Sequence, residues 1–289
     1  MRNLALVTFG LLLAAAPLTA QTKHKFAYQF EAGSVAWTQQ VQDMNMSMNM
    51  GGREMTQSMK TTMWLESKVT ELKDGIAAIE QKYTRVAATG DGMGMKTSYD
   101  SDVEGSKPGQ LKDLASMVGK TSKVRVGSDG KIHEFTLADG VEGAAAQAGA
   151  SLKQTFEQSY MTWPKDGLAI GETWVSEFDM PMGQIGTGKA KVTNKLIDVK
   201  DHVVTLEQKV EMDLSAAKMP GGGKLEVTKA GGTSKIDLRR TMPVEMVMDM
   251  EMKMGGEGSP MQMTMTMHQE MKQCEAPAPK KAAAPATGK

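Results

Sequence analysis

Methionine alternates with polar residues over two long stretches of this chain, and this period of two constrains the fold more than any other feature. In residues 43–65 the methionines keep one parity within each of two runs, which Gly51-Gly52 separates. Residues 244–271 repeat the arrangement around a glycine-rich break at 255–260. Successive side chains of a strand point to opposite faces, so each stretch predicts an antiparallel hairpin with one methionine face and one polar face.

The methionine faces are expected to be buried and the polar faces wet. The chain has 27 methionines but only 6 Phe, 4 Tyr and 4 Trp, so thioethers have to supply much of any apolar surface. Methionine is flexible and fills irregular gaps, which suits an interior built without many rigid rings. The simplest interpretation of these rows is the hydrophobic face of a sheet.

Helix signals are fewer. Residues 108–118 place apolar side chains on one side and stop at Gly119, which predicts a short helix. Residues 141–160 are Ala-rich, have apolar residues three or four apart, and run into Trp163-Pro164, where proline ends a helix. The sequence therefore predicts an α+β fold, consisting predominantly of long antiparallel β-hairpins that form curved sheets.

Two pairs of segments resemble each other within the chain. Residues 68–83 align with 195–210, and residues 119–126 align with 231–238 in the same order. Two ordered matches predict a duplication, as two lobes or as one continuous curved sheet. The predicted units are a first β-rich repeat, a connecting Ala-rich helix and a second β-rich repeat, at residues 21–140, 141–163 and 164–273.

The two ends of the chain have compositions typical of a signal peptide and of a disordered tail. Arg2 precedes an apolar run at 4–16 and small residues up to Ala20, which is typical of a secretory signal peptide spanning 1–20. A membrane anchor is the alternative, but this run is too short for a hydrocarbon core of about 30 Å. Residues 274–289 are rich in Pro, Ala and Lys and predict a disordered tail. We therefore expect a periplasmic or extracellular protein without a transmembrane segment in its mature form.

Charge and cysteine content exclude several classes of protein. The 34 Lys and Arg residues balance 34 Asp and Glu residues, which removes the electrostatic reason to expect a nucleic-acid partner. The single cysteine, Cys274, excludes an intramolecular disulfide and a thiolate zinc cage. No cofactor is expected. The four histidines stand in unrelated segments, and the sequence has no nucleophile elbow, zinc-protease pair or phosphate-binding loop, so we expect no enzyme.

A family resemblance follows from the order of several turn motifs. The segment 119–126 is followed by Asp129-Gly130-Lys131-Ile132, then by Trp163-Pro164 and by 170–174. This order resembles an uncharacterised family of exported, methionine-rich bacterial proteins that contain a domain of unknown function. The resemblance covers most of the chain after residue 20. It implies export and methionine-alternating strands, and it brings no activity, cofactor or site residue.

The methionine rows suggest two specific functions besides plain packing or a scaffold for interactions. A deformable methionine face is suited to an apolar small molecule or lipid, which is the leading hypothesis. Cu(I) or Ag(I) binding by Met-x-Met stripes is the alternative, because thioethers are soft ligands. His268 has the opposite parity to its neighbouring methionines and is not expected to join such a site. The candidate residues for both functions are Met44, Met46, Met48, Met50, Met246, Met248, Met250, Met252, Met263, Met265 and Met267.

Overall fold

The structure is a computed structural model. It describes residues 22–92, 95–109, 112–137, 159–181, 187–215, 224–255 and 261–277. The signal peptide predicted at 1–20, most of the Ala-rich segment (141–158) and residues 278–289 of the predicted tail lie outside the described residues.

Long strands make up most of the described chain. The strands are β1 (Val35–Met50), β2 (Arg53–Lys73), β3 (Ile76–Gly92), β4 (Met95–Asp100), β5 (Thr121–Gly127), β6 (Ile132–Thr136), β7 (Thr173–Pro181), β8 (Thr187–Lys200), β9 (Val203–Asp213), β10 (Lys224–Asp237), β11 (Glu245–Gly255) and β12 (Met261–Cys274). A helix of five residues, α1 (Lys112–Ser116), lies between β4 and β5. The hairpins predicted around the methionine runs are present as β1–β2 and β11–β12.

All the strands belong to one antiparallel sheet. Within the described ranges it has 12 strands in the order β6-β5-β3-β2-β1-β12-β11-β10-β9-β8-β7, with β4 paired to β3. The strands near the two ends of the chain, β1 and β12, are therefore neighbours at the centre of the sheet. The two halves of the chain extend outward from this central pair.

The predicted α+β class is wrong, because the described chain is almost entirely antiparallel sheet. The reason is strand length. β2 alone has 21 residues, and its backbone N–H and C=O groups pair with those of β1 and β3 instead of with each other in a helix. Of the helix predicted at 108–118, the described part is helical only in α1. The predicted Ala-rich connecting helix falls almost wholly outside the described residues, so the described part of the chain gives the α+β class no second helix.

One face of the sheet carries the hydrophobic core, at the end where the two halves approach each other. Buried side chains from both halves belong to a single cluster. The first half contributes Val69, Ala77, Ile79, Val124 and Val126, and the second half contributes Leu196, Val204, Leu206, Ile236 and Leu238. The sheet therefore curves enough for its two wings to share one interior.

An extended N-terminal segment, residues 24–30, joins the two wings, and we call it the strap. The backbone N–H of Tyr28 donates to the Ser128 carbonyl in the first half, and that of Gln29 donates to the Leu238 carbonyl in the second, each at 2.7 Å. The Tyr28 hydroxyl accepts a hydrogen bond from the Met161 N–H at 3.0 Å. The strap thus satisfies backbone groups of both wings while its aromatic rings fill the space between them.

The segments that match within the sequence occupy corresponding hairpins. Residues 68–83 form the closed end of β2–β3, and residues 195–210 form that of β8–β9. Asp74 and Asp201 both have positive φ angles, of 51° and 54°. The strand register shifts between Val69 and Glu71 in one hairpin and between Leu196 and Asp198 in the other. These shared irregularities support a duplication, which stays a prediction.

Candidate functional site

The methionine strands lie side by side at the centre of the sheet, in the order β2-β1-β12-β11. The three pairings run without a register shift, so directly opposed residues point to the same face across all four strands. Met44 lies opposite both Met59 and Met267, and Met267 lies opposite Met250. The two hairpins therefore meet edge to edge, and their methionine faces join into one surface.

We call this surface the methionine platform. Its members are the methionines that share this face of the four strands, namely Met44, Met46, Met48, Met55, Met59, Met246, Met248, Met250, Met252, Met254, Met263, Met265 and Met267. Strand geometry gives it a width of roughly 14 Å across the four strands and a length of roughly 26 Å along β11. An apolar surface of several hundred Å² usually marks a place of interaction.

Burial on this face decreases from the core toward the platform. In β2, Val69 is completely buried and Met63 is 8% exposed, whereas Met59 is only half-buried. In β12, Met271 is 1% exposed and Met267 is half-buried. All the platform methionines are half-buried. The face is thus closed at one end and open to water at the other.

This gradient differs from the sequence expectation of a fully buried methionine face. Among the described residues, the core cluster that reaches the platform consists of Leu65, Met242 and Met271, with Met246 packed against it. The described clusters do not continue over the other platform methionines. One sheet layer buries only what a second layer covers, so alternation alone is not sufficient to bury these side chains.

Amide side chains lie on the same face at the border between core and platform. Gln42 and Gln269 lie directly opposite each other in β1 and β12, and Gln40 lies opposite Met271. The Gln42 Nε2 atom donates a hydrogen bond to the Met267 Sδ atom at 2.9 Å. On β1 and β12 these amides therefore lie between the closed core and the thioether surface, whereas on β11 the methionine row continues through Met248 to Met246.

The opposite face of the same strands is charged. The Lys60 Nζ atom lies 3.2 Å from an Asp43 carboxylate oxygen. His268 lies opposite Asp249, with its Nδ1 atom 2.8 Å from the Asp249 carboxylate, and its Nε2 atom is 3.5 Å from Glu270. His268 thus points away from the platform and does not contribute an imidazole to it.

The charged face offers a pH-dependent test of this register. The hydrogen bond to Asp249, followed by that to Glu270, holds the pKa of His268 above its ordinary value. A raised folded-state pKa contributes stability below the unfolded pKa, and this contribution is lost as pH rises through the folded pKa. We expect Asp249→Asn to lower the His268 titration midpoint in an NMR pH series, with little change in overall stability because the two side chains are 41% and 47% exposed. An unchanged midpoint would contradict the pairing.

The structure places the sequence-predicted site residues in β1, β11 and β12. The opposed pairs include Met46 with Met265 and Met48 with Met263. Met50, at the end of β1, pairs with Met261 through the backbone register. The predicted set had omitted Met55, Met59 and Met254, although the same alternation in β2 and β11 marks them. The joining of the rows by the β1–β12 pairing had no local sequence signal.

Other donor groups are scarce near the platform. Among the described residues, no three His, Cys, Asp or Glu side chains come together in a way that could hold a metal ion. Cys274 is a free thiol at the end of β12, opposite Trp37, and burial raises its pKa. The sulfur atoms of the platform itself are all thioethers.

No protein-family profile matches the chain, and no curated protein matches it. Among solved structures, the chain is similar to one described as "lipid-protein interactions in lipovitellin", with 11% sequence identity and a TM-score of 0.49. The match covers 89% of this chain and 27% of the lipovitellin chain. A likeness at this level determines neither a family nor a function for this chain.

Proposed function

We propose that this protein is an exported, non-enzymatic binder of an apolar ligand, such as a lipid acyl chain, on the methionine platform. The observation that carries the proposal is the continuity of one sheet face. The face that buries the core at one end continues as a half-buried methionine surface at the other. Fully burying a methionine side chain is worth about 1.5–3 kcal/mol, so a ligand that covers several of them gains substantial free energy.

The choice of methionine supports a ligand of variable shape. Branched residues such as Val and Ile form strands better than methionine, so a face that served only for burial would favour them. Methionine has an unbranched, flexible side chain and repacks around guests of different shapes. The platform is thus suited to acyl chains that differ in length or unsaturation.

The amide border supports an amphipathic ligand. Gln40, Gln42 and Gln269 lie on the platform face at its border with the core. Their side-chain amides can donate to or accept from a carboxyl, ester or hydroxyl group. We propose that the acyl chain lies along the thioether rows and that the polar group of the ligand lies at this border.

The proposed setting follows from the leader expected at residues 1–20, which would direct the chain to the periplasm or the cell exterior. An apolar molecule in either compartment needs a protein surface to travel through water. In the part of the chain that the structure describes, no helix is both long and apolar enough to cross a membrane.

A charge placed at the centre of the platform tests the proposal. Met265 lies between Met46 and Met252 on the two neighbouring strands. We expect Met265→Lys to weaken the binding of a fluorescent fatty acid by more than about tenfold, because an ammonium group in contact with an acyl chain loses hydration. Fluorescence titration of the purified protein measures this change.

The matched control is Thr266→Lys, one residue further along the same strand. Thr266 is exposed and lies opposite Glu251 on the charged face, so a lysine there is compatible with its surroundings. We expect its affinity for the fatty acid to stay within about twofold of wild type. Equal affinities for the two variants, or a wild-type protein that neither binds the probe nor co-purifies with an apolar molecule in native mass spectrometry, would refute the proposal.

A further inference from the structure

We propose that four methionines at the centre of the platform form a thioether site for Cu(I) or Ag(I). The residues are Met46 and Met48 of β1 and Met263 and Met265 of β12. The inference depends on sulfur chemistry, whereas the apolar-ligand proposal depends on the hydrophobic character of the same surface. The two are therefore independent, and different substitutions test them.

The four side chains lie at the corners of a rectangle on the β1–β12 pair, because Met46 lies directly opposite Met265 and Met48 opposite Met263. Opposed Cβ atoms are about 5 Å apart, and same-face neighbours along a strand are about 6.6 Å apart. The centre of this rectangle is therefore about 4 Å from each Cβ atom. The flexible side chains can bring their sulfur atoms to about 2.3 Å from a common point, which is an ordinary metal–sulfur distance.

The hydrogen bond already made by Met267 favours this rectangle over the next one toward the core. All four side chains are half-buried, which leaves an ion a route from solvent. The neighbouring rectangle includes Met267, whose Sδ atom already accepts a hydrogen bond from Gln42 at 2.9 Å. Beside the proposed site, Met252 and Met254 lie opposite Met265 and Met263 and offer further thioethers.

The donor set determines which ions are suitable. Thioethers are soft, neutral ligands that select Cu(I), and Ag(I) has the same preference, whereas Mg²⁺ and Ca²⁺ need oxygen ligands. The charged residues of β11 that lie nearest this level, Glu251 and Lys253, have the opposite parity and face away. A monovalent ion also costs less to desolvate at a half-buried site than a divalent one.

A quadruple leucine variant, M46L/M48L/M263L/M265L, separates sulfur chemistry from hydrophobicity. Leucine keeps the volume and apolar character of methionine but has no sulfur atom. Under anaerobic conditions, we expect the wild-type protein to withdraw Cu(I) from a chromogenic chelator. We expect the variant to bind Cu(I) more than about 100-fold more weakly, because losing a single outer-shell partner already costs about 10–100-fold and this variant removes all four proposed ligands. Its circular dichroism spectrum should stay that of the wild-type protein, because the substitutions keep side-chain volume and apolar character.

The matched control makes the same chemical change away from the platform centre. Met117 and Met161 are buried in the core clusters, and Met212 is half-buried in β9. We expect M117L/M161L/M212L to retain wild-type Cu(I) affinity. A loss of Cu(I) binding in this control as large as in the quadruple variant would overturn the assignment.

A measurement on the wild-type protein avoids any dependence on the folding of variants. With ¹³C-labelled methionine methyl groups, we expect one equivalent of Ag(I) to shift the NMR signals of Met46, Met48, Met263 and Met265 most. The site is refuted if the largest shifts fall on other methionines, if the wild-type protein does not compete for Cu(I), or if the quadruple variant keeps wild-type affinity. A protein that binds Cu(I) but no fatty acid would contradict only the apolar-ligand proposal.

Discussion

Replacing Gly130 with alanine is expected to destabilise the protein by about 2–5 kcal/mol. Gly130 has a φ of 83°, a conformation that costs other residues about 1–2 kcal/mol. A Cβ atom at this position would also overlap the Met161 carbonyl and lie 3.0 Å from the Tyr28 ring. Neither neighbour can move easily, because Met161 donates to the Tyr28 hydroxyl within the core, and overpacking of this kind adds about 1–3 kcal/mol.

The control for this substitution is Gly105→Ala. Gly105 has nearly the same φ, 79°, but a Cβ atom there would meet nothing within 4 Å. We expect it to lose only the conformational term of about 1–2 kcal/mol. Urea unfolding followed by circular dichroism gives both free energies of unfolding. Equal losses for the two variants would contradict the close packing of the strap and residue 161 against the β5–β6 turn.

Truncating Leu206 is expected to cost about 2–5 kcal/mol of unfolding free energy. Leu206 is completely buried in β9, where it lies between Leu196 of β8 and Ser234 of β10. It belongs to the cluster in which the two wings share one interior, so Leu206→Ala leaves a cavity that neither wing can fill alone. Chemical denaturation measures the loss.

Two further variants make this expectation specific. Ile79 has the matching position in the first half and is 1% exposed, so Ile79→Ala should cost a similar amount. Ile197, next to Leu196 in β8, is 39% exposed, so Ile197→Ala should cost less than about 1 kcal/mol. A small effect at both buried positions would contradict the shared core, and a large effect at Ile197 would contradict its exposed position in β8.

The methionine hairpins were predictable because their signal is local. Strict alternation over the runs from Met44 and from Met246 specifies strand and face together, and the glycines at 51 and 52 indicate the turn. The positive φ angles of both glycines agree with that turn. The polar parity of His268 was predictable for the same reason, and its pairing with Asp249 places it on the charged face.

The predicted α+β class was wrong because apolar residues spaced three or four apart do not by themselves form a helix. Apolar residues three or four apart between 108 and 118 indicated a helix, yet α1 covers only Lys112–Ser116 of that range. Strand propensity over short windows also concealed how far β2 and β3 extend. Strand ends depend on where a neighbouring strand stops pairing, which local propensity does not report.

The candidate site was only partly predictable. Sequence parity identified which methionines share a face within one hairpin. The site includes both hairpins only because β1 pairs with β12, where Met44 lies opposite Met267. Those two residues are more than 200 positions apart in the chain. No local pattern specifies a pairing at that separation.

The sequence by itself determined the strands, their turns and the two-sided chemistry of each hairpin, because backbone alternation links side-chain parity directly to a face. The tertiary structure alone decided that the ends of the folded chain meet at the centre of a single sheet. It also decided that the two wings close over a common core and that the methionine rows stay half-buried. Burial depends on what lies above a face, and in the described part of the chain the packed clusters cover only the end of the sheet where the wings meet.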